Sequence, residues 1–218
     1  GEDFNWSGGD GTYQVLDDGG GNWRIKFLSS GTFTPLKNMV IDAFLVGGGG
    51  GSGSSYCGAG GAGYTTTVRS VVLTANTAYS IVVGAAGTNG NPSSAGGETT
   101  AFTASAAGGK NTSNGTSSSK RPGGAGGSGG AGYVSPVATT TGGTDGGDGT
   151  SSATTGGKGQ GTTTREFGEA DGTLYASGGG SNLTATVSNS GNGGRNGITS
   201  IEPADGIVVI RQHKEVAA

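Results

Sequence analysis

Between residues 123 and 132 the chain reads GGAGGSGGAG, a three-residue cadence that neither an α-helix nor an ordinary strand favours. Glycine accounts for 52 of the 218 residues. Each one weakens a helix or strand interior by roughly 0.5–1 kcal/mol relative to alanine, so conventional elements would carry a penalty of some tens of kcal/mol. Either the chain is disordered or a different kind of order offsets that penalty. A period of three matches an extended helix of the polyproline II type, with three residues per turn, about 3.1 Å rise per residue and no internal backbone hydrogen bonds. Where two residues of each triplet are glycine, such helices can lie close enough to hydrogen-bond one another laterally, each bond contributing on the order of 0.5–1.5 kcal/mol net. A bundle of them replaces an apolar core with hydrogen bonds. GAGGAG at 58–63, GGTDGGDG at 142–149 and GNGG at 191–194 share the pattern, but the collagen repeat is never sustained, which excludes a triple helix.

Charged residues make up only 12% of the chain, too few for charge-driven disorder, while hydrophobic residues make up 30%. The net charge of −3 provides no basic surface for nucleic acid. Cys57 is the single cysteine, so no intrachain disulfide supplies the missing stability. No apolar run reaches the roughly 18 residues that would insert in a membrane, and no basic-then-apolar leader opens the given residues. The first residue is Gly1 rather than Met, which leaves a processed and a truncated start both open.

Apolar residues are concentrated rather than spread. NWRIKFLSSGTFTP at 22–35 alternates around Trp23, Ile25 and Phe27 and predicts a strand, a turn and a second short strand as a pair. MVIDAFLV at 39–46 stops at a run of glycines and predicts a buried central strand. YTTTVRSVVL at 64–73 and YSIVVG at 79–84 predict a hairpin turning at Thr74–Thr77. TTAFTAS at 99–105 is a weaker strand, and GIVVIRQ at 206–212 is a strong closing one. Residues 106–200 carry almost no strand signal, and no helical pattern of ten residues appears anywhere. The expected fold is therefore mainly β: a small β-sandwich clamping a glycine-rich insert of laterally packed polyglycine II type helices, with essentially no α-helix. Its organisation reads as a lead segment at 1–22, a sandwich from 23–105 plus 201–212, an insert at 106–200 forming one compact unit with it, and a tail at 213–218.

Catalytic equipment is scarce. His213 is the only histidine, in what reads as a solvated tail, so a Ser/His/Asp arrangement or a His-based metal site would depend on that one imidazole. Asp145 and Asp148 glance at a calcium-binding nonapeptide but fail its register, and Glu166 and Glu169 read as a turn that Arg165 could neutralise. GGGGGSGSS after MVIDAFLV mimics a phosphate loop, yet YCGAGGAG follows it and no helix can begin there. The expectation is no catalytic residues, no metal site and no cofactor.

In order along the chain, SGTFTP, VIDAFLVGGGGGSG, GAGGAGY, TTTVRSVVLTANTAYSIVVGAAG, ETTAFTASAAGGK, GKGQGTTTREFGE and GIVVIR resemble the glycine-rich domain of bacteriophage tail and tail-fibre proteins and related prophage products. The resemblance covers roughly residues 29–212. A more distant likeness is to the glycine-rich extracellular region of some receptor kinases. The phage resemblance implies a virion component that acts outside the cell, with loops contacting a glycan or protein on the bacterial surface. It implies other tail or fibre proteins as neighbours and leaves a homotrimer and a monomer both open. Tyrosines offer large contact area at low entropic cost. The residues expected at the receptor are Tyr56, Tyr133 and Tyr175 at the edges of glycine runs, with the basic pair Lys120 and Arg121. Tyr64 and Phe167 are expected to seal the bundle instead. A purely structural surface module is the alternative, and ice binding, suggested by threonine triplets at 65–67, 139–141 and 162–164, is a third.

Overall fold

The computed structural model describes residues 3–115, 121–133, 140–150, 156–180, 186–195 and 201–213. Among these residues ten strands form two five-stranded antiparallel sheets. The first sheet runs in the order β1 (Phe4–Trp6), β4 (Gly31–Pro35), β7 (Tyr79–Val82), β8 (Thr99–Ala101) and β9 (Ala104–Ala106). The second runs β2 (Tyr13–Gly19), β3 (Asn22–Phe27), β10 (Ile207–Gln212), β5 (Met39–Val46) and β6 (Thr65–Leu73). Among the described residues the one helical element is a single 3-10 turn at Glu166–Gly168.

The two most apolar stretches of sequence are the two strands buried on both faces. Along β5, Ile41, Ala43 and Leu45 point into the core between the sheets, where Phe4, Phe27, Phe33 and Ile81 also sit. Phe44 and Val46 point the other way, onto Ala62, Phe167, Tyr175 and Ala176. β10 divides in the same manner, with Val208 and Ile210 inward and Ile207 and Val209 outward. Burial on both faces removes the polar alternation that a half-exposed strand would show.

Two expected pairings are corrected by the sandwich. β3 and β4 are not partners: β3 pairs with β2 and β10, and β4 with β1 and β7. β6 and β7 form no hairpin either, since β6 pairs with β5 and β7 with β4 and β8. In each case the chain turns over and changes sheet, which sets the apolar faces against each other across the core. Phe27 and Phe33 accordingly meet at 5.5 Å between ring centroids. Where a lead segment at 1–22 is expected, β1 and β2 supply one strand to each sheet. TTAFTAS resolves into the β8–β9 hairpin, whose turn residues Phe102 and Thr103 both take positive φ, 50° and 65°, as a two-residue type I′ turn requires.

Beyond the end of the sandwich the glycine segments form a bundle with a three-residue hydrogen-bonding period. Successive amides of Gly47–Gly51 donate to Tyr64, Gly97, Ala204, Gly61 and Ser94, so every third donor returns to the same neighbour. The segment that follows behaves alike: Ala59 and Ala62 donate to Ala131 and Ser128, Gly60 and Gly63 to Gly194 and Gly191, Gly61 and Tyr64 to Lys110 and Ala107. Each rod thus bonds three neighbours, the lateral arrangement of polyglycine II helices. The bundle is broader than the 106–200 insert expected from sequence, because residues 47–63, 84–97 and 201–206 lie within it.

This packing explains the cadence at 123–132. A methyl group placed on Gly124, Gly126, Gly127, Gly129 or Gly130 would overlap backbone of an adjacent rod. The third column, Ala125, Ser128 and Ala131, has room for a Cβ, and Ser128 and Ala131 are nevertheless fully buried.

Candidate functional site

Gly47–Gly51 carries the chain away from β5, and residues 58–63 bring it back to β6. The reversal at 52–57 therefore lies at the distal end of the bundle, opposite the sandwich. Asn114 holds this reversal in place: its Oδ1 accepts from the Ser54 amide at 2.7 Å and its Nδ2 donates to Ser54 Oγ at 3.1 Å. The Gly115 amide donates to the Ser55 carbonyl at 3.1 Å. Tyr56 is set at φ 48°, a costly backbone state for a non-glycine residue, and stays 46% exposed. Arg121 and Tyr133 close the neighbouring segment through a reciprocal backbone bridge, Arg121 N–H to Tyr133 O at 3.2 Å and Tyr133 N–H to Arg121 O at 2.9 Å. The Tyr56 and Tyr133 rings meet edge to face, 5.9 Å apart at 86°. Gly115 is bare where this happens: a Cβ there would lie 2.7 Å from Arg121 Nε and 2.7 Å from the Tyr56 carbonyl oxygen. Arg121 Nε is buried and makes no hydrogen bond to the described residues.

Three of the five residues expected at a receptor, Tyr56, Tyr133 and Arg121, are thereby brought together. Lys120 lies outside the described residues. Tyr175 is corrected: it is 6% exposed, packed against Phe44 beneath the second sheet, with its hydroxyl donating to Glu166 Oε2 at 3.4 Å. Burial, followed by the adjacent Glu166 charge, pushes its phenol above its usual pKa. An edge position in a glycine run does not reveal which side of the rod a ring covers, and here hydrophobic burial decides.

A second constellation escaped the sequence reading. Asp42, wholly buried on the outer face of β5, accepts from Arg69 Nη1, Arg211 Nη2 and the Ser70 amide, each at 3.2 Å. Arg211 also pairs with Glu169 and lies 4.1 Å from the Phe167 ring centroid. Burial works to raise the Asp42 pKa, but hydrogen bonds from His213, Ser70 and Arg211 outweigh it and hold the carboxyl below its ordinary range. His213 is not in a solvated tail: its Nδ1 stands 2.6 Å from Asp42 Oδ1, and its Nε2 stands 3.2 Å from Ser70 Oγ. An ionised carboxylate only accepts, so Nδ1 carries a proton and, in the neutral ring, Nε2 accepts from the hydroxyl.

This order of hydroxyl, imidazole and carboxylate is that of an acyl-transfer triad. Two features distinguish it. The carboxylate is shared with two guanidinium groups, and the Ser70 amide, which would be the nearest oxyanion donor, points at Asp42 instead. The arrangement ties β5, β6 and the end of β10 together. The signal that could have found it is the pair of charges, Asp42 and Arg211, inside otherwise apolar strands.

The sequence profile of the glycine-rich domain matches residues 28–211, which takes in β4–β10 and the bundle. The chain belongs to the glycine-rich domain family. A search of curated proteins returned no match. Within this glycine-rich domain the pair Asp145 and Asp148 has structural partners. Asp145 accepts from Thr163 Oγ1 and pairs with Arg165 at 3.2 Å, and Asp148 pairs with Lys158 at 3.0 Å. Hydrogen bonding, led by Thr163 at Asp145 and by the Gly159 amide at Asp148, lowers both pKa values. Arg165 does not neutralise Glu166 or Glu169 as expected. Glu166 pairs with Arg24 at 2.6 Å and Glu169 with Arg211 at 2.7 Å, because the 3-10 turn folds onto the second sheet.

Proposed function

We propose that this glycine-rich domain is part of a phage tail or tail fibre and recognises a receptor on the bacterial surface through the loops at the distal end of its bundle. The observation that carries the reading is the Tyr56–Tyr133–Arg121 cluster. It places an exposed aromatic ring and a guanidinium on loops fixed by hydrogen bonds to rigid rods. Loops on a stiff scaffold are where binding residues concentrate, and a fixed paratope loses little entropy on association. The reading includes a virion location, neighbouring tail or fibre proteins, no enzymatic activity and either a homotrimeric or a monomeric tip.

The test is binding of fluorescently labelled protein to a panel of whole bacteria, repeated with Tyr56→Ala and Tyr133→Ala. Saturable binding to a restricted set of strains, weakened by either substitution at unchanged melting temperature, supports the reading. Absence of binding to every plausible host refutes it. Strain binding that both variants retain in full would put the receptor contact away from the distal tyrosines and refute the assignment of the site.

A further inference from the structure

We infer that the distal cluster recognises an acidic glycan, with Arg121 taking a carboxylate or phosphate group and the tyrosine pair taking a sugar ring; this rests on the receptor-binding reading above. The protein is acidic overall, but its acids are unevenly placed. Between Ala43 and Thr144 the sequence holds one acid, Glu98, against Arg69, Lys110, Lys120 and Arg121. Arg69 is bound to Asp42 on the sandwich, where Asp17, Asp18, Glu166 and Glu169 also gather. At the distal end, among the described loop residues, the acid is Glu202, whose carboxylate accepts the Asn89 amide at 3.3 Å. An anion approaching the tip therefore meets Arg121 with little opposing charge, and such steering acts within about a Debye length, roughly 8–10 Å.

The local chemistry selects an oxyanion. A guanidinium presents its donors in a planar fork that matches carboxylate and phosphate oxygens. The Arg121 Nε is buried beside Gly115 and the Tyr56 backbone, which fixes the side chain, so an oxyanion would meet the Nη donors of the same fork. Beside it the perpendicular Tyr56 and Tyr133 rings make an apolar corner suited to the C–H face of a pyranose, and the Tyr56 backbone is already held in its strained conformation. A neutral sugar would use the corner and leave the guanidinium unpaired.

The full chain would be titrated calorimetrically with trigalacturonate, with the same trisaccharide carboxyl-reduced to galactose, and with mannose 6-phosphate. Expected is binding of one or both anionic sugars at least about tenfold tighter than of the neutral one, weakening as salt rises, since a charge-assisted hydrogen bond supplies that factor. Arg121→Gln should remove the preference and Arg121→Lys should retain part of it, each with a melting temperature near that of the parent. The anionic arms separate a uronate from a phosphate source. Equal affinity for neutral and anionic sugars, no binding of any of the three, or an unchanged preference in Arg121→Gln overturns the inference. Whole-cell binding that acidic sugars do not compete overturns it alone, whereas absence of cell binding removes the reading on which it rests.

Discussion

Replacing Gly126 with alanine tests whether the bundle is held by backbone contact. The new methyl would overlap the Ala62 carbonyl oxygen and lie 2.7 Å from Ala62 N. The two rods would have to part by roughly 1 Å to restore van der Waals contact. That contact carries two lateral bonds, Gly127 N–H to Ala62 O and Ala62 N–H to Ser128 O, both at 3.0 Å. Lengthening them by that amount breaks both, and each broken buried bond costs about 1–3 kcal/mol, for a total of about 2–6 kcal/mol. Small proteins hold only about 5–15 kcal/mol of stability. Urea unfolding should show the loss directly, and the melting temperature should fall by roughly 10 °C at ~2–4 °C per kcal/mol. Ala125→Ser, one residue away in the column that accommodates a Cβ, should stay within about 0.5 kcal/mol of the parent. If Gly126→Ala were as stable as Ala125→Ser, the cadence would not be a packing requirement and the account of the bundle would fail.

Asp42→Asn removes the charge that Arg69, Arg211 and His213 share, while Arg211 keeps Glu169 and Arg69 keeps the Phe167 carbonyl, and should cost about 1–3 kcal/mol near pH 7 by denaturant unfolding. Because the folded pKa of Asp42 is depressed, its ionised form stabilises the fold above the unfolded value near 3.9 and ceases to as pH falls through the lower folded value. The gap between parent and Asp42→Asn should therefore narrow below about pH 4, and a gap independent of pH would contradict the assignment. Cys57 is 1% exposed with its thiol donating to the Gly53 carbonyl at 2.8 Å, so a thiol reagent should label it only as fast as the protein opens, and immediate stoichiometric labelling would refute that placement. A fluorophosphonate probe should leave Ser70 unmodified, given its amide is directed at Asp42; stoichiometric labelling lost in His213→Ala would show instead that the constellation is a working nucleophile.

Periodicity was legible where it reported a local rule. The glycine column at 123–132 reads directly because a period of three has one packing solution at that spacing, and β5 and β10 read directly because burial on both faces leaves an uninterrupted apolar run. Strand partners did not read, since the alternation around Ile25 and Phe27 states which face is buried but not across which edge β3 bonds. The ion network was hidden for a further reason: Asp42 meets Arg211 and His213 at separations of 169 and 171 residues, and Glu166 meets Arg24 at 142, so no local pattern connects them. The tip lies between these extremes. Tyr56 and Tyr133 each flank a glycine rod, which identifies rod ends, and Tyr175 does so equally, yet it is buried because its rod end abuts Phe44 whereas theirs face outward. Rods are joined mainly by backbone bonds, and the side chains that brace the distal turns, Asn89, Thr112 and Asn114, are not the exposed rings. The bundle can therefore keep its register while exposed residues such as Tyr56 change, so scaffold and surface are separable.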